Sequence, residues 1–439
     1  MDTRAFQRLR KIRQLAMAYL VYPGTLHTRF EHSVGVMHLA GLIFKRLKDL
    51  HQELDEKEGE KIRIAALLHD IGHGPFSHVS EFLLERYGKK NASAGIKDTG
   101  KIHENLTIDV IKTDPEISKI LDTDETEFVV NLIKGSRTRD FKRDIISSSL
   151  DADKMDYLLR DSYFAGVKYG TYDLDKIIDS FRIYKRGEES FTAVQHEGIF
   201  ALEQLVLSKH HMTQQVYAHR IRSITDAMII RGIDLAIKAG DTELRELYSY
   251  DGSRKYVSNY LEYHDEKIVD IICSQKHSLE AQNIFIGLRD RRLFKQVCEF
   301  DLNTTDVPDA LVRGDLIQLE NNEALHLKIE GTIADELGIS PSYVIMHRRK
   351  VKDPTYVPES YRLDEDETYV LKKDDLLERL KEFPDLVFSL KKDREPSPRI
   401  LVFAKMENWS QESEGGKKTI QSEIKQVIMK TVKESSTGR

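Results

Sequence analysis

The sequence is poor in the residues that mark disulfide-stapled, collagen-like and linker-like proteins. Among 439 residues it has two cysteines, 10 prolines and 24 glycines. Two cysteines exclude a disulfide framework and a zinc site made only of cysteine. The low proline and glycine content argues against a collagen-like, linker-like or glycine-rich β protein. With 32% charged residues, the chain is typical of a globular, mostly helical protein.

The sequence also lacks a long apolar run and an excess of positive charge. No stretch reaches the roughly 18 apolar residues of a membrane helix, and Asp2 and Arg4 make the N-terminus unlike a signal peptide. We therefore expect a cytoplasmic protein with no membrane partner. The formal net charge of −6 argues against broad nucleic-acid binding, but it allows a local basic pocket for a phosphorylated ligand.

Hydrophobic periodicity predicts helix after helix up to about residue 300. Apolar residues at helical spacing lie on one face over 32–50 and again over 61–69. A stretch without proline over 198–240 predicts a long helix, interrupted near Gly232.

The character of the chain changes beyond residue 300, where seven of the ten prolines lie. Three short runs there predict strands at 316–319, 342–346 and 399–403. The predicted fold class is mostly α, with a helical bundle over 1–300 and a smaller C-terminal α+β region over 301–409. The polar tail over 410–439 is predicted to be disordered or to form one amphipathic helix.

Histidine, in contrast, is concentrated: eight of the 16 lie within the first 103 residues. His32 begins one predicted helix, His69-Asp70 ends another, and an Asp-Ala-Asp-Lys motif at 151–154 begins a third. Two imidazoles and two carboxylates can hold one divalent transition metal and leave positions open for water or phosphate. Helix ends in an antiparallel bundle can converge, which predicts one metal site with Asp151 or Asp153 as a ligand.

Further polar residues are predicted to surround this metal site. Arg29 lies one turn before His32, His73 and His78 follow the His69-Asp70 pair, and His103 begins another helix. Arginine can bind phosphate through two parallel hydrogen bonds, and histidine can give or take protons. This combination favours a site for a phosphoester or phosphoanhydride.

Each of these residues also has a simpler interpretation. A His-Asp pair such as His69-Asp70 is common by chance, although the apolar residues before it favour the end of a buried helix. Asp153, Tyr157 and Asp161 are spaced to share one helix face, but Tyr157 could simply belong to the core.

Three ordered motifs carry a resemblance to a known family. They lie at 27–36, 69–78 and 151–161 and read HTRFEHSVGV, HDIGHGPFSH and DADKMDYLLRD. They resemble the HD-domain phosphohydrolases, and more narrowly the deoxynucleoside triphosphate triphosphohydrolases, a group with the SAM-and-HD-domain enzyme and its bacterial and archaeal relatives. The resemblance extends to about residue 300, roughly two thirds of the chain.

The resemblance implies a metal site and a substrate site. The implied metal ligands are His32, His69, Asp70 and Asp153, with Asp151 as the reserve. The implied cofactor is one divalent transition metal, Fe, Mn, Co, Ni or Zn, and Mg²⁺ is a candidate companion of the triphosphate. The substrate-binding positions are Gln14 and Leu15 at the deoxyribose, Arg29 and Lys154 at the phosphates, Tyr157 and Asp161 beside phosphates or sugar, and Tyr217 near sugar or base. The implied catalytic residues are His73, His78 and His103.

The resemblance also implies regulation by a guanine nucleotide or dNTP effector in a homo-oligomer, either a tetramer or a dimer. The matching positions are Asp2, Gln7, Arg10, Arg291 and Lys295. Arg10 and Lys295 could equally belong to a solvated basic face.

The implied reaction is metal-dependent hydrolysis of a dNTP to the deoxynucleoside and inorganic triphosphate. Two alternatives stay open. One is an HD-type nucleotidase or phosphodiesterase that acts on another nucleotide, and the other is a nucleotide-sensing protein with residual activity.

Overall fold

Helices dominate the structure, a computed structural model that describes residues 1–88, 102–135, 138–274, 278–319, 322–349, 368–372, 377–379 and 398–437. In chain order the α-helices are α1 Arg4–Gln7, α2 Arg29–Leu50, α3 Glu56–Leu68, α4 His78–Tyr87, α5 Ile102–Thr113, α6 Thr123–Lys134, α7 Phe141–Asp144, α8 Ala152–Ala165, α9 Leu174–Ser180, α10 Ile199–Met212, α11 Arg220–Lys238, α12 Thr242–Tyr248, α13 Arg254–Tyr260, α14 Asp265–Ser274, α15 Leu279–Arg289, α16 Ala310–Ile317, α17 Glu323–Leu337 and α18 Glu414–Thr437. The predicted mostly α class is confirmed.

The strands are few and short. They are β1 Phe181–Arg186, β2 Glu189–Gln195, β3 Lys295–Asp301, β4 Val344–Arg349, β5 Tyr369–Leu371, β6 Leu377–Arg379 and β7 Arg399–Ala404. Short 3-10 turns lie at Arg8–Lys11, Ala18–Leu20, Ile117–Lys119, His196–Gly198 and Pro341–Tyr343, and a π-helix lies at Thr213–Tyr217.

The described residues form two compact units that interleave along the chain. The first contains 1–217 and 243–268 together with β5 and β6, and the second contains 218–242, 269–349 and 398–437. The domain boundaries near residues 300 and 410 stay a prediction.

The core of the first unit is built around α2. Its residues Val36, Leu39, Ala40, Ile43 and Leu47 are buried on one face, as their spacing predicts. This face packs against α3 and α8, and burying one such leucine or isoleucine contributes about 1.5–3 kcal/mol. The packing fixes where the three helices begin and end, and those ends carry the candidate metal ligands.

A β-hairpin in the first unit departs from the all-helical prediction for residues up to 300. Strands β1 and β2 are antiparallel, Phe181 lies opposite Val194, and Gly187 takes φ 63° between them. β5 runs parallel to β2, and β6 pairs antiparallel with β5. Much of β1 carries exposed or half-buried charge, so its alternation of polar and apolar residues is weak.

The second unit contains an antiparallel sheet in the order β3-β7-β4. Helix α18 packs on β3, with Ile424, Ile428 and Val432 buried, so the helical alternative for the tail is correct. The strand predicted at 399–403 is confirmed by β7, and the one at 342–346 starts two residues late because Pro341–Tyr343 forms a 3-10 turn.

Two local predictions are wrong. Residues 316–319 end helix α16 instead of forming a strand, because Asp309 caps the helix and Val312 and Leu316 share its buried face. The stretch 198–240 is interrupted by the π-helix Thr213–Tyr217, and Gly232 lies inside α11.

Candidate functional site

Local structure at two helix ends prepares two imidazoles to bind a cation. α3 ends at Leu68, and His69 donates from Nδ1 to the carbonyl oxygen of Ala66 at 2.7 Å. His32, in the first turn of α2, donates from Nδ1 to Oδ2 of Asp156 at 2.8 Å. Because each Nδ1 carries the donated proton, the lone pair of the neutral ring lies on Nε2.

The two Nε2 atoms meet carboxylates buried in the first unit. Oδ1 of Asp153 lies 3.0 Å from Nε2 of His32 and 3.8 Å from that of His69. Oδ1 of Asp70 lies 3.3 Å from Nε2 of His69, and its Oδ2 lies 3.6 Å from Nε2 of His32. Ligands at about 2.0–2.2 Å from one ion lie at such separations from each other.

The residues present therefore fit a divalent metal. Among the described residues, neither the His32 nor the His69 Nε2 makes a hydrogen bond of acceptable geometry, although both are buried. The ligand atoms of His32, His69 and Asp153 all lie within 4.8 Å of one another. Two imidazole nitrogens and carboxylate oxygens form a donor set suited to first-row transition metals.

Electrostatics keeps this cluster charged despite burial. Burial raises the pKa of Asp153, but the imidazoles of His32 and His69 hold it well below its usual range. Burial lowers the pKa of His32, but the carboxylates of Asp153 and Asp156 raise it to about 10. Metal binding must therefore displace a proton from His32.

The structure distinguishes the two acids of the Asp-Ala-Asp-Lys motif. Asp151 is the N-cap of α8 and accepts from the backbone N–H of Lys154 at 2.7 Å and of Ser148 at 2.8 Å. Its carboxylate also accepts from Nζ of Lys154 at 2.7 Å. Asp153 is the acid that lies beside the two imidazoles.

Sequence reasoning missed Asp156, the partner of His32. Arg160 donates to both of its oxygens at 2.8 Å, so the carboxylate is fixed from two sides. Such carboxylate–histidine pairs orient a metal-binding imidazole and raise its basicity. The available signal was position, since Asp156 follows Asp153 by three residues on α8.

Replacing Asp156 with asparagine is expected to lower metal affinity about 10- to 100-fold, because the neutral amide is a weaker acceptor for the His32 Nδ1–H group. Competition with a chromophoric chelator measures the affinity. Asp175→Asn, which changes an exposed carboxylate of α9, is the matched control. Equal affinities in the two variants would contradict the role of Asp156.

Three other histidines converge on a single carboxylate, Glu81 of α4, which sequence reasoning also missed. The Nδ1 atoms of His73, His78 and His103 lie 3.7, 2.6 and 3.1 Å from its oxygens. The rings of His73 and His103 stack with centroids 4.2 Å apart. The sequence signal that could have identified Glu81 was its spacing of three residues from His78.

Glu81 is the anionic neighbour that these histidines share. Burial raises its pKa, but His103 and His78 hold it well below its usual range. Burial lowers the pKa of His78 to about 4, so that ring is neutral near pH 7. His73, His78 and Glu81 could also hold a cation by distance alone. We favour hydrogen bonding for His78, whose Nδ1 donates to Oε1 of Glu81 at 2.6 Å, whereas Nδ1 of His73 and of His103 makes no hydrogen bond of acceptable geometry within the described residues.

Residues of both clusters line one pocket: His69, Asp70 and Asp153 from the first cluster, and His73, His78 and His103 from the second. The predicted residues that line it are Gln14, Arg29, His69, Asp70, His73, His78, His103, Asp151, Asp153, Lys154 and Tyr157, whereas the fully buried His32 does not line it. Arg29 donates to Asp70 and, at 2.9 Å, to Oγ of Ser77, and its Nη2 lies 3.3 Å from Nε2 of His78. Burial raises the pKa of Asp70, but Arg29 holds it well below its usual range.

Three predicted substrate residues do not line the pocket. Leu15 is buried in the hydrophobic core. Asp161 accepts from Nε2 of His27 at 2.7 Å and from the hydroxyl of Tyr217 at 2.8 Å. Tyr217 packs edge-on against Tyr157, with ring centroids 6.2 Å apart. His27, which the sequence left without a role, is therefore a buried support behind the pocket.

The predicted effector residues divide between the two units. In the first unit Asp2 is exposed, Arg10 donates to Oε1 of Gln7 at 2.9 Å, and its guanidinium lies 3.5 Å from the centroid of Phe30. In the second unit Arg291 takes φ 57° after α15, and Lys295 begins β3. The effector role stays a prediction.

Helices long and apolar enough to cross a membrane are absent from the part of the chain that the structure describes.

Comparison with known proteins identifies the family. The sequence matches the HD domain over residues 29–161 and the HD associated region over 172–425. An uncharacterized protein of Methanocaldococcus jannaschii is 35% identical over 253 residues, 57% of this chain and 48% of that one. The chain thus spans about half the length of this relative.

Two further relatives match over more of the chain. The deoxynucleoside triphosphate triphosphohydrolase SAMHD1 homolog of Dictyostelium discoideum is 28% identical over 389 residues, 85% of this chain and 70% of that one. A phosphohydrolase from Bacteroides thetaiotaomicron shares the fold with TM-score 0.68 at 22% identity, covering 92% of this chain and 94% of that one. The matches to the HD domain and to the HD associated region, which together cover more than half of the chain, show that the chain belongs to the HD-domain phosphohydrolases.

Proposed function

We propose that the protein hydrolyses deoxynucleoside triphosphates to deoxynucleosides and inorganic triphosphate with one bound divalent transition metal. The observation that carries the proposal is the cluster of His32, His69, Asp70 and Asp153, of which the last three line a pocket that also contains the cationic side chains of Arg29 and Lys154. The relation to the Dictyostelium deoxynucleoside triphosphate triphosphohydrolase homolog supports the substrate class.

The bound metal supplies a Lewis acid for the α-phosphate and lowers the pKa of an attacking water. The bond between the α-phosphorus and the 5′-oxygen breaks. The 5′-oxygen departs on the deoxynucleoside, and the oxygen of the attacking water stays on the inorganic triphosphate. Arg29 can donate two parallel hydrogen bonds to phosphate oxygens, and the ammonium group of Lys154 neutralises further charge.

His73 and His78 are the proposed proton carriers. His73 orients or deprotonates the attacking water, and His78 protonates the departing 5′-oxygen. Without substrate, Nε2 of His78 lies 3.3 Å from Nη2 of Arg29. In the proposal the triphosphate draws Arg29 away, so the Nε2 atom of His78 faces an anion and its pKa rises.

Nucleotide activation and homo-oligomer formation are a further part of the proposal. Gln7 and Arg10 lie together on the surface of the first unit, where a nucleotide effector would reach them. Binding of such an effector would be visible as sigmoidal dependence of the rate on nucleotide concentration.

A product assay tests the proposed function. The protein loaded with Mn²⁺, Co²⁺ or Mg²⁺ is incubated separately with each dNTP, each NTP and cyclic nucleotides, with and without GTP as activator. We expect inorganic triphosphate from dNTPs and little product from NTPs. Pyrophosphate or phosphate as the main product would favour a nucleotidase or phosphodiesterase instead, and absence of any product would favour a nucleotide sensor.

A further inference from the structure

The turn between His73 and His78 has an unusual backbone. Phe76 takes φ 61° and Ser77 takes φ 54°, although neither is glycine. Side chains with a Cβ rarely adopt this left-handed region, and two consecutive residues hold it only when their surroundings impose it. The turn sets the direction in which the chain enters α4 at His78. The conformation of the turn therefore controls how the side chains of His73 and His78 are oriented relative to each other.

A buried carboxylate outside the pocket holds this turn. Asp265, the first residue of α14, accepts from the backbone N–H of Phe76 at 2.7 Å through Oδ1. Its Oδ2 accepts from the backbone N–H of Arg13 at 3.0 Å. Oγ of Ser77 donates to the carbonyl oxygen of Arg13 at 2.7 Å, which closes a ring of contacts around the turn.

Two more contacts fix the beginning of the same turn. Arg8 donates from Nη1 to the carbonyl oxygen of His73 at 2.9 Å, and the Tyr260 hydroxyl donates to that of Gly72 at 3.2 Å. Neither reaches Phe76 or Ser77. Phe76 and Ser77 also take part in backbone hydrogen bonds within the turn, and Arg29 donates to Oγ of Ser77 at 2.9 Å. Asp265 is the buried carboxylate that joins Phe76 to Arg13 from outside the turn.

We propose that Asp265 is a positioning residue that imposes the strained Phe76–Ser77 conformation and thereby aims His73 and His78 at the pocket. Asp265 is not among the pocket residues, and its side chain is about 1% exposed. It acts through the backbone of the turn. The activity readout of this inference rests on the proposed function, whereas its structural readout does not.

Stability alone does not explain an acid at this position. Burial raises the pKa of Asp265 to about 6, above the usual value of an aspartate, so the fold loses stability as the pH rises from about 4 to about 6. The nearest side-chain cation is Nη1 of Arg13 at 3.8 Å, and Glu266 lies beside it with the opposite effect. What this carboxylate contributes is two hydrogen bonds, which it accepts from the backbone N–H groups of Phe76 and Arg13.

Asp265→Asn tests the inference, because the amide keeps the shape but can offer only its oxygen to one of the two N–H groups. We expect kcat for triphosphate release to fall about 10- to 100-fold, with KM and metal content unchanged. Hydrogen exchange in the peptide 73–80 is expected to accelerate. Glu266→Gln is the matched control, since Glu266 pairs with the same Arg13 at 2.8 Å but is half exposed, and it is expected to leave all readouts unchanged.

Wild-type kcat in a folded Asp265→Asn variant would overturn the inference, as would unchanged exchange in 73–80. If the variant does not fold, the wild-type protein still provides the test. We expect the amide hydrogens of peptide 73–80 to exchange as slowly as those of helix α2. Amide exchange as fast as that of an exposed loop would overturn the inference. Failure of the proposed function has a different signature, namely no triphosphate from wild-type protein, and the exchange measurements then decide the role of Asp265.

Discussion

Replacing His69 with alanine is expected to leave the protein without bound metal and to lower triphosphate release by more than about 100-fold, the upper end of what loss of an outer partner costs. The variant removes one of two imidazoles, whose Nε2 lies 3.3 Å from Oδ1 of Asp70 and 3.8 Å from Oδ1 of Asp153, and leaves His32 as the one remaining imidazole of the predicted ligand set. Elemental analysis of the purified protein measures the metal, and the product assay measures the rate.

Two controls make this result specific. His38→Ala removes an exposed histidine from α2 and is expected to keep full metal content and activity. Asp153→Asn and Asp151→Asn compare the two acids of one motif. We expect the first to lose metal and the second to keep it, because the carboxylate of Asp151 is already held by Ser148 and Lys154. Stoichiometric metal in His69→Ala would contradict the proposed ligand set.

Replacing Gly35 with alanine is expected to weaken metal binding, although Gly35 is not one of the proposed metal ligands. A Cβ at Gly35 would lie 1.8 Å from Oδ1 of Asp156 and 2.3 Å from Nη2 of Arg160. Both distances are too short for a van der Waals contact, so the two side chains cannot keep their positions. The Asp156–Arg160 pair must move, and His32 then loses its Nδ1 partner. We expect metal affinity to fall about 10- to 100-fold and stability to fall by about 1–3 kcal/mol.

The same helix offers the matched control for this substitution. A Cβ at Gly41 of α2 would meet only the exposed side chain of Arg63, at 3.0 Å or more, and that side chain can shift. Gly41→Ala is therefore expected to stabilise the helix by about 0.5–1 kcal/mol without changing metal affinity. Thermal unfolding with and without metal, together with chelator competition, separates the two effects. Equal metal affinity in both variants would contradict the coupling between Gly35 and the site.

The residues of this site differ in how well the sequence predicts them: residues in ordered motifs can be identified from sequence, whereas residues joined only by tertiary contacts cannot. His32, His69 and Asp70 lie in long ordered motifs at recognisable helix ends, so their convergence could be expected from sequence. Asp156 lies three residues from Asp153 and Glu81 three residues from His78, but their contacts with His32 and with His73 and His103 join different helices, and the spacing alone does not reveal those contacts. Asp265 is separated from Phe76 by 189 residues, so only the folded chain brings them together.

The fold shows the same division. Helices with a regular apolar face, such as α2, follow from periodicity alone. The hairpin of β1 and β2 and the end of α16 at 316–319 do not, because short apolar runs fit a strand and a helix turn equally well. In the second case a cap at Asp309 and burial of Leu316 decide the outcome.

The buried row of side chains behind Tyr157 has a consequence for the sugar selectivity that the proposed function requires. Tyr157 lines the pocket, Tyr217 packs against its ring, and Asp161 ties Tyr217 to His27, which stacks on Phe164 with centroids 4.5 Å apart. A larger sugar that pushes on Tyr157 meets this whole row rather than one rotatable ring. If the protein has the proposed function, we expect selectivity on this side of the pocket to work by exclusion and to depend on packing in the interior of the first unit.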